Sequence, residues 1–329
     1  MISRFPSTSL RGPAQLQTVN NNYQVFVYKE YVMDISAAAV MELREKTGLG
    51  MMLCKKALIE SNGDMALAIE GLRKQGQAAV AKRAGRVAKQ GKVSIVSDAS
   101  CAIAYEVNAE TDFVAKNEDF VSFVSSLGKL LLAQKPKDVA EAKKMTSPEF
   151  SGLSVDGKLT ELISKIGENI TFRRFVIEKI DPAKERLFSY IHGEGRIGVM
   201  CKLTSDKPET LASPAASALG KDLAMQIAAS NPIAIDREKM SRDFATVLEK
   251  EKEIYLTQAQ TSGKPEKVWP KIVEGKLDKF FKESALCEQP FIKEPERSVA
   301  DRIKDAEKET SSMFTVVSFT RYELGAEEQ

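Results

Sequence analysis

Cysteine and histidine are scarce in this chain. Cys54, Cys101, Cys201 and Cys287 are the only thiols in 329 residues, no two of them form a Cys-x-x-Cys pair, and His192 is the single histidine. Such a set argues against a zinc site and a disulfide framework, and it suits a reducing compartment. No apolar run approaches the length that spans a bilayer, so no membrane partner is expected. The phosphate-binding P-loop, the Rossmann glycine fingerprint, His-Glu-x-x-His and the Gly-x-Ser-x-Gly elbow are all missing. With one imidazole, pairs of nucleophile and base are scarce, so the reading is a binding protein, not an enzyme. No cofactor, metal or directly bound nucleotide is expected. An excess of one charge is also lacking: 48 basic residues face 46 acidic ones, and a net charge of +2 sets up no global field toward nucleic acid. What is present is an ordinary globular balance, 43% hydrophobic and 29% charged, in a chain long enough for two or three domains.

Residues 1–32 differ from the rest, with Arg4, Arg11 and Lys29 against a single acid, Glu30. They read as a disordered extension preceding Met33. A cytoplasmic location is expected, organellar only if this segment is a transit peptide. From 33 to 82 the pattern is three short helices. Ser36 caps the first and Gly48 ends it; Cys54, Ala57 and Leu58 lie on the second; Asp64 caps a third bearing Met65, Ala68, Ile69 and Leu72. The loop Gly48-Leu49-Gly50-Met51-Met52 resembles the apolar loop of ubiquitin-associated domains. Met51 and Met52 either fill a local core or offer an adaptable thioether surface to a partner. Ala78 to Lys92, with the linker proper at 83–92, carries Lys82, Arg83, Arg86, Lys89 and Lys92, and no acid occurs between Glu70 and Asp98. A run like this serves as a solvated tether or neutralises phosphates, and it has no interleaved aromatics to stack on bases.

An internal pseudo-repeat follows. Strands at 92–97 and 101–108 precede a helix from Asp112 to about Ala133; strands at 187–191 and 197–201, joined by His192-Gly193-Glu194-Gly195, precede a helix from about Pro208 to Ala229. The fold class is therefore α+β. A small three-helix domain precedes a core of two subdomains with antiparallel sheets, at 93–180 and at 181–233 with 284–329. Residues 234–283 form an inserted antiparallel helical hairpin, read as Arg237–Ala259 and Lys264–Phe281. That insertion is either a structural brace or a protruding arm that self-associates or touches a partner. Met313–Tyr322 is a last strand expected to pair with the second hairpin.

The chain is organised around Glu106 to Phe120, read as strand end, polar corner and helix start, with Val93, Ile95, Ile103, Tyr105 and Val107 before it at alternate, strand-like positions. Thr111 and Asp112 stand where short polar side chains cap a helix, and Phe113 follows in the first turn. An aromatic there either packs inward or stands out at the tip. Its neighbours carry a wider likeness. Leu43-Arg44-Glu45-Lys46-Thr47-Gly48-Leu49-Gly50-Met51-Met52-Leu53-Cys54-Lys55-Lys56-Ala57-Leu58 and Glu106-Val107-Asn108-Ala109-Glu110-Thr111-Asp112-Phe113-Val114-Ala115-Lys116 resemble the two signatures of the translation elongation factor Ts family. Similar too are Lys165–Ile170 with Arg173-Arg174, His192-Gly193 with Arg196–Val199, Ala228–Ser230 with Pro232, Ser262–Pro265, and Gln289-Pro290-Phe291. These matches run in order from Met33 to about Leu324.

The resemblance implies a guanine-nucleotide exchange factor that binds elongation factor Tu, GDP-bound and nucleotide-free. Thr111, Asp112, Phe113 and Val114 would face the partner's nucleotide site and disturb its Mg²⁺. Lys55, Met51 and Met52 would hold the nucleotide domain, and His192, Gly193, Met225 and Gln226 would meet the other domains. The inserted hairpin would be of dimerisation type, giving a homodimer of the complex. Gln226 departs from the family, where histidine is common, and no carboxy-terminal helical module is expected after the last strand. The alternative is a nucleic-acid- or ribosome-binding protein using the basic linker.

Overall fold

The computed structural model describes residues 35–327; the extension expected over 1–32 lies outside them. The chain divides into two compact units, one ending at Lys82 and one beginning at Arg83. In the first, α1 (Ala37–Thr47), α2 (Met51–Glu60) and α3 (Met65–Arg83) are punctuated by their caps. The Ser36 hydroxyl accepts the Ala39 N–H, Gly48 adopts φ 65° and donates to Arg44 O, and Asp64 Oδ1 accepts from Ala66 and Leu67 N–H at 2.8 and 2.9 Å. Val40, Leu43, Cys54, Leu58, Ala68 and Leu72 form the small core. The third helix runs on to Arg83, through residues read as the start of a linker, because Ala78, Ala79 and Ala81 favour helix. The linker is shortened from its other end too, since pairing begins at Gln90.

The second unit is built from two three-stranded antiparallel sheets. Strands β1 (Gln90–Ser97) and β2 (Cys101–Ala109) form the first hairpin, and β3 (Ile170–Lys179) pairs with the far side of β2. Strands β4 (Glu185–His192) and β5 (Ile197–Ser205) form the second. The repeat thus extends to a third strand in each half. Helices α4 (Asp112–Ala115), α5 (Glu118–Gln134), α6 (Val139–Lys144) and α7 (Val155–Ile166) belong to the first half, and α8 (Pro214–Ser230) covers the second sheet. Next come α9 (Arg237–Asp243), α10 (Ala245–Gln260) and α11 (Trp269–Ser284), of which α10 and α11 pack together as the hairpin. A two-stranded ribbon, β6 (Pro290–Phe291) and β7 (Glu294–Ser298), leads to α12 (Val299–Thr310) and to β8 (Phe314–Glu323), which pairs with β5.

Several expectations need correction. The continuous helix from Asp112 to Ala133 is two helices, because Asn117 is extended (φ −66°, ψ 136°) and its side chain caps a new start by accepting from Asp119 and Phe120 N–H. The helix read from about Pro208 starts at Pro214, because Ser213 is extended (φ −65°, ψ 155°) and its hydroxyl accepts the Ala216 N–H as a new cap. The first hairpin arm, read as one helix from Arg237, breaks at Phe244. The second hairpin arm, read from Lys264, starts at Trp269. Alternation in β2 also disappears: every residue of Cys101–Ala109 is buried. One face meets α5, where the Tyr105 hydroxyl donates to Val124 O at 2.9 Å, and the other meets the second sheet through Ala102, Ala104 and Met200. Gly198 permits that sheet contact; a Cβ there would come within 2.6 Å of Val93 Cγ1.

One hairpin turn and one helix start carry acid-labile stability. At Asp98 the carboxylate accepts from the Ser100 hydroxyl and from the Ser100 and Cys101 N–H groups, which hold its pKa down at about 2. Asp301 closes a capping box with Ser298 and is likewise lowered to about 2, chiefly by the Ser298 hydroxyl. A carboxyl depressed on folding stabilises above its ordinary range and loses that contribution as pH falls through the folded value. The melting temperature of the chain is therefore expected to fall between pH about 4 and about 2. Asp98→Asn with Asp301→Asn should shrink that acid-dependent fall, and an unchanged profile would refute the assignment.

Candidate functional site

The corner after β2 is constructed from residues distant in sequence. Thr111 is extended (φ −123°, ψ 158°), and its hydroxyl accepts the Val114 N–H at 3.4 Å as the cap of α4. Glu168 lies just beyond Gly167, whose φ of 87° ends α7. Its carboxylate takes the Thr111 N–H at 3.0 Å on one oxygen and the Thr111 hydroxyl at 2.7 Å on the other. In return, the Glu110 carboxylate accepts the Asn169 N–H at 2.6 Å. Arg86 pairs with Glu110 at 3.4 Å and accepts the Asn169 side-chain amide on its carbonyl at 2.8 Å. Lys165 ties α7 to α5 through Asp119 at 2.8 Å.

One helical turn separates four consecutive side chains around its axis. Val114 and Ala115 go inward, Val114 being 6% exposed, onto β1 and β2. Asp112 is exposed and Phe113 projects with 81% of its surface open. The ring stands out at the tip of the corner, and Val114, expected beside it at the surface, is instead part of the wall that supports it.

Other expected contact residues are spread over the molecule. His192 ends β4, exposed, with its Nδ1 3.0 Å from the Tyr190 hydroxyl. Gly193 at φ 59° and Gly195 at φ 104° shape the turn, and Gly195 O accepts the Val93 N–H at 2.8 Å, which binds the turn to β1. One groove brings turn and corner together, lined by Lys116 and Val121 on one side and Ile191 and Glu194 on the other. Met225 on α8 is half-buried. Gln226 does not reach the surface at all. It is 0% exposed, accepts the Ile292 N–H at 2.8 Å and donates to Pro290 O at 3.1 Å, holding α8 to the ribbon. A side chain spent on backbone groups inside the fold is unavailable to a partner. In the first unit Lys55, Met51 and Met52 are all exposed, Met52 to 78%. Among the described residues no group of three or more acidic, histidine or cysteine side chains could hold a metal ion.

A family model described as elongation factor TS matches residues 110–326, beginning at Glu110 of the clasped corner and ending at Ala326. The chain belongs to the elongation factor Ts family. Among curated members it is 43% identical over 293 residues to elongation factor Ts of Clostridium novyi, covering 88% of this chain and 93% of that protein. It is 44% identical over 294 residues to that of Clostridium botulinum strain Eklund 17B, with the same shares. The Syntrophotalea carbinolica protein is 43% identical over 293 residues, 89% of this chain and 94% of its own. The elongation factor Ts likeness in sequence placed Glu168 in a matching motif without giving it a task. Its position two residues past the end of α7, next to a left-handed glycine, is the only local hint that it leaves the helix to bind elsewhere.

Proposed function

We propose that the chain promotes GDP release from elongation factor Tu, with Phe113 as the intruding group and Asp112 beside it. The observation that carries this reading is the exposed ring of Phe113 on a corner whose base is hydrogen-bonded on both sides. A large aromatic on a rigid support is suited to serve as an interface anchor, because a few large side chains seated in desolvated pockets carry most of an interface's energy. In this mechanism Phe113 enters an apolar pocket of the partner and Asp112 perturbs the polar network around the partner's Mg²⁺. Magnesium demands near-ideal octahedral geometry, so a small displacement of its ligands loosens its hold on the phosphates. Met51, Met52 and Lys55, on the ubiquitin-associated-like first unit, hold the nucleotide domain, while His192 and Gly193 meet another domain. The hairpin of α10 and α11 serves self-association of the complex.

Exchange requires antagonism. The factor must bind nucleotide-free partner more tightly than loaded partner, and by linkage GDP weakens the factor's affinity by the same ratio. Each tenfold of that antagonism needs about 1.4 kcal/mol of differential contact. Burying one Phe supplies roughly 1.5–3 kcal/mol. A stopped-flow test follows release of a fluorescent GDP from elongation factor Tu as this protein is added. Release is expected to accelerate in proportion to the factor and to saturate; an unchanged release rate would overturn the proposal.

A further inference from the structure

Residues 110–111 and 168–169 exchange bonds reciprocally. The side chain of Glu168 accepts from the backbone and hydroxyl of Thr111, and the side chain of Glu110 accepts from the backbone of Asn169. Each carboxylate therefore satisfies an N–H that the other segment would leave without a partner at a turn or helix end. These bonds join positions 57 and 59 residues apart in the chain. They are charge-assisted, and so stronger than neutral ones.

Thr111 is the link to the ring. Its hydroxyl donates to Glu168 while accepting from Val114 N–H, so one oxygen fixes both the corner and the first turn of α4. A four-residue helix has almost no stability of its own, since nucleation costs more than one turn returns. Without an outside tether it would fray, and an exposed ring has few contacts to hold it in place.

We infer that Glu168 is a positioning residue for Phe113: its two-point grip on Thr111 holds α4 formed and the ring projecting before any partner arrives. Pre-organisation of this kind lowers the ordering cost at the moment of binding. The inference rests on the exchange reading above for its functional consequence, but its structural content can be tested without the partner.

Two measurements decide it. In a Phe113→Trp, Trp269→Phe background the introduced indole is the sole tryptophan, because Trp269 is the only native one. Time-resolved anisotropy should show a slowly moving indole, a larger fast component after Glu168→Ala, and substantial rescue by Glu168→Gln, which keeps an acceptor for the Thr111 N–H. Circular dichroism on the same variants confirms that the remainder of the fold is intact. Equal anisotropy in all three overturns the inference, whatever the exchange assay gives. In that assay, a double-mutant cycle of Glu168→Ala with Phe113→Ala should be non-additive. Glu168→Ala alone should slow GDP release about tenfold, but less than about twofold once Phe113 is alanine. Additive losses, or a neutral Glu168→Ala beside a defective Phe113→Ala, would dismiss Glu168 and leave the exchange reading standing. A neutral Phe113→Ala would remove the exchange role of the ring, while the anisotropy would still judge the clasp.

Discussion

Phe113→Ala is expected to slow GDP release from elongation factor Tu by roughly ten- to a hundredfold at equal factor concentration. The size follows from the transfer of one aromatic ring, roughly 1.5–3 kcal/mol, being available only in the complex. In the free protein that ring is 81% exposed, so its removal takes nothing from the core. Thermal stability should stay within about 0.5 kcal/mol of wild type, as for other surface substitutions. Loss of exchange without loss of stability separates an intruding group from a packed one. A variant that melts early, or one that exchanges like wild type, contradicts the role given to the ring. Phe113→Leu should fall between the two, since it keeps part of the apolar area.

Glu106→Ala should do the opposite, removing stability without touching the exposed corner. Glu106 is 0% exposed in the middle of β2, yet its two oxygens are fully engaged. Arg174 Nε lies 2.7 Å from one oxygen; Arg173 Nη1 at 3.2 Å, Asn108 Nδ2 at 2.9 Å and Gly325 N at 2.8 Å share the other. The same arginines reach on to Ala326 O and to Glu323 O, the latter at 3.1 Å. Glu106 thus joins the first sheet to the chain leaving β8 of the second. Removing one member of a buried ion pair leaves charge without a counterpart, and the usual loss is about 3–5 kcal/mol. For a unit of this size that lowers the melting temperature by on the order of 10 °C. Glu106→Gln keeps acceptors for Gly325 and Asn108 but loses the charge, so its loss should be smaller. Calorimetry on the three proteins orders them; a Glu106→Ala midpoint within a degree or two of wild type would mean the network adds nothing.

Much of the architecture was legible because its signals are local. Ser36, Gly48 and Asp64 mark helix ends through groups within four residues, and the hairpin turn at Asp98 is closed by its own side chain. The pairing of β8 with β5 followed from apolar alternation. Where the reading missed, a distant segment or a competing cap had decided. Asn117 restarted a helix that hydropathy alone would carry through. β2 lost its alternation because a second sheet, contributed by residues far along the chain, covers its other face. Gln226 was given a partner contact by the family resemblance but is buried by the ribbon that returns after the hairpin insertion.

Sequence by itself determined the family, the three capped helices, the paired hairpins and the identity of the corner residues, since caps, periodicity and ordered motifs act over a few positions. It left open whether Phe113 packs inward or projects, and it gave Glu168 no role. Those were decided by tertiary structure alone: direction depends on which face of one short turn finds a wall, and the wall and the clasp come from β1, β2 and the end of α7. A side chain's outlook is a property of everything around it, and no window of sequence contains that.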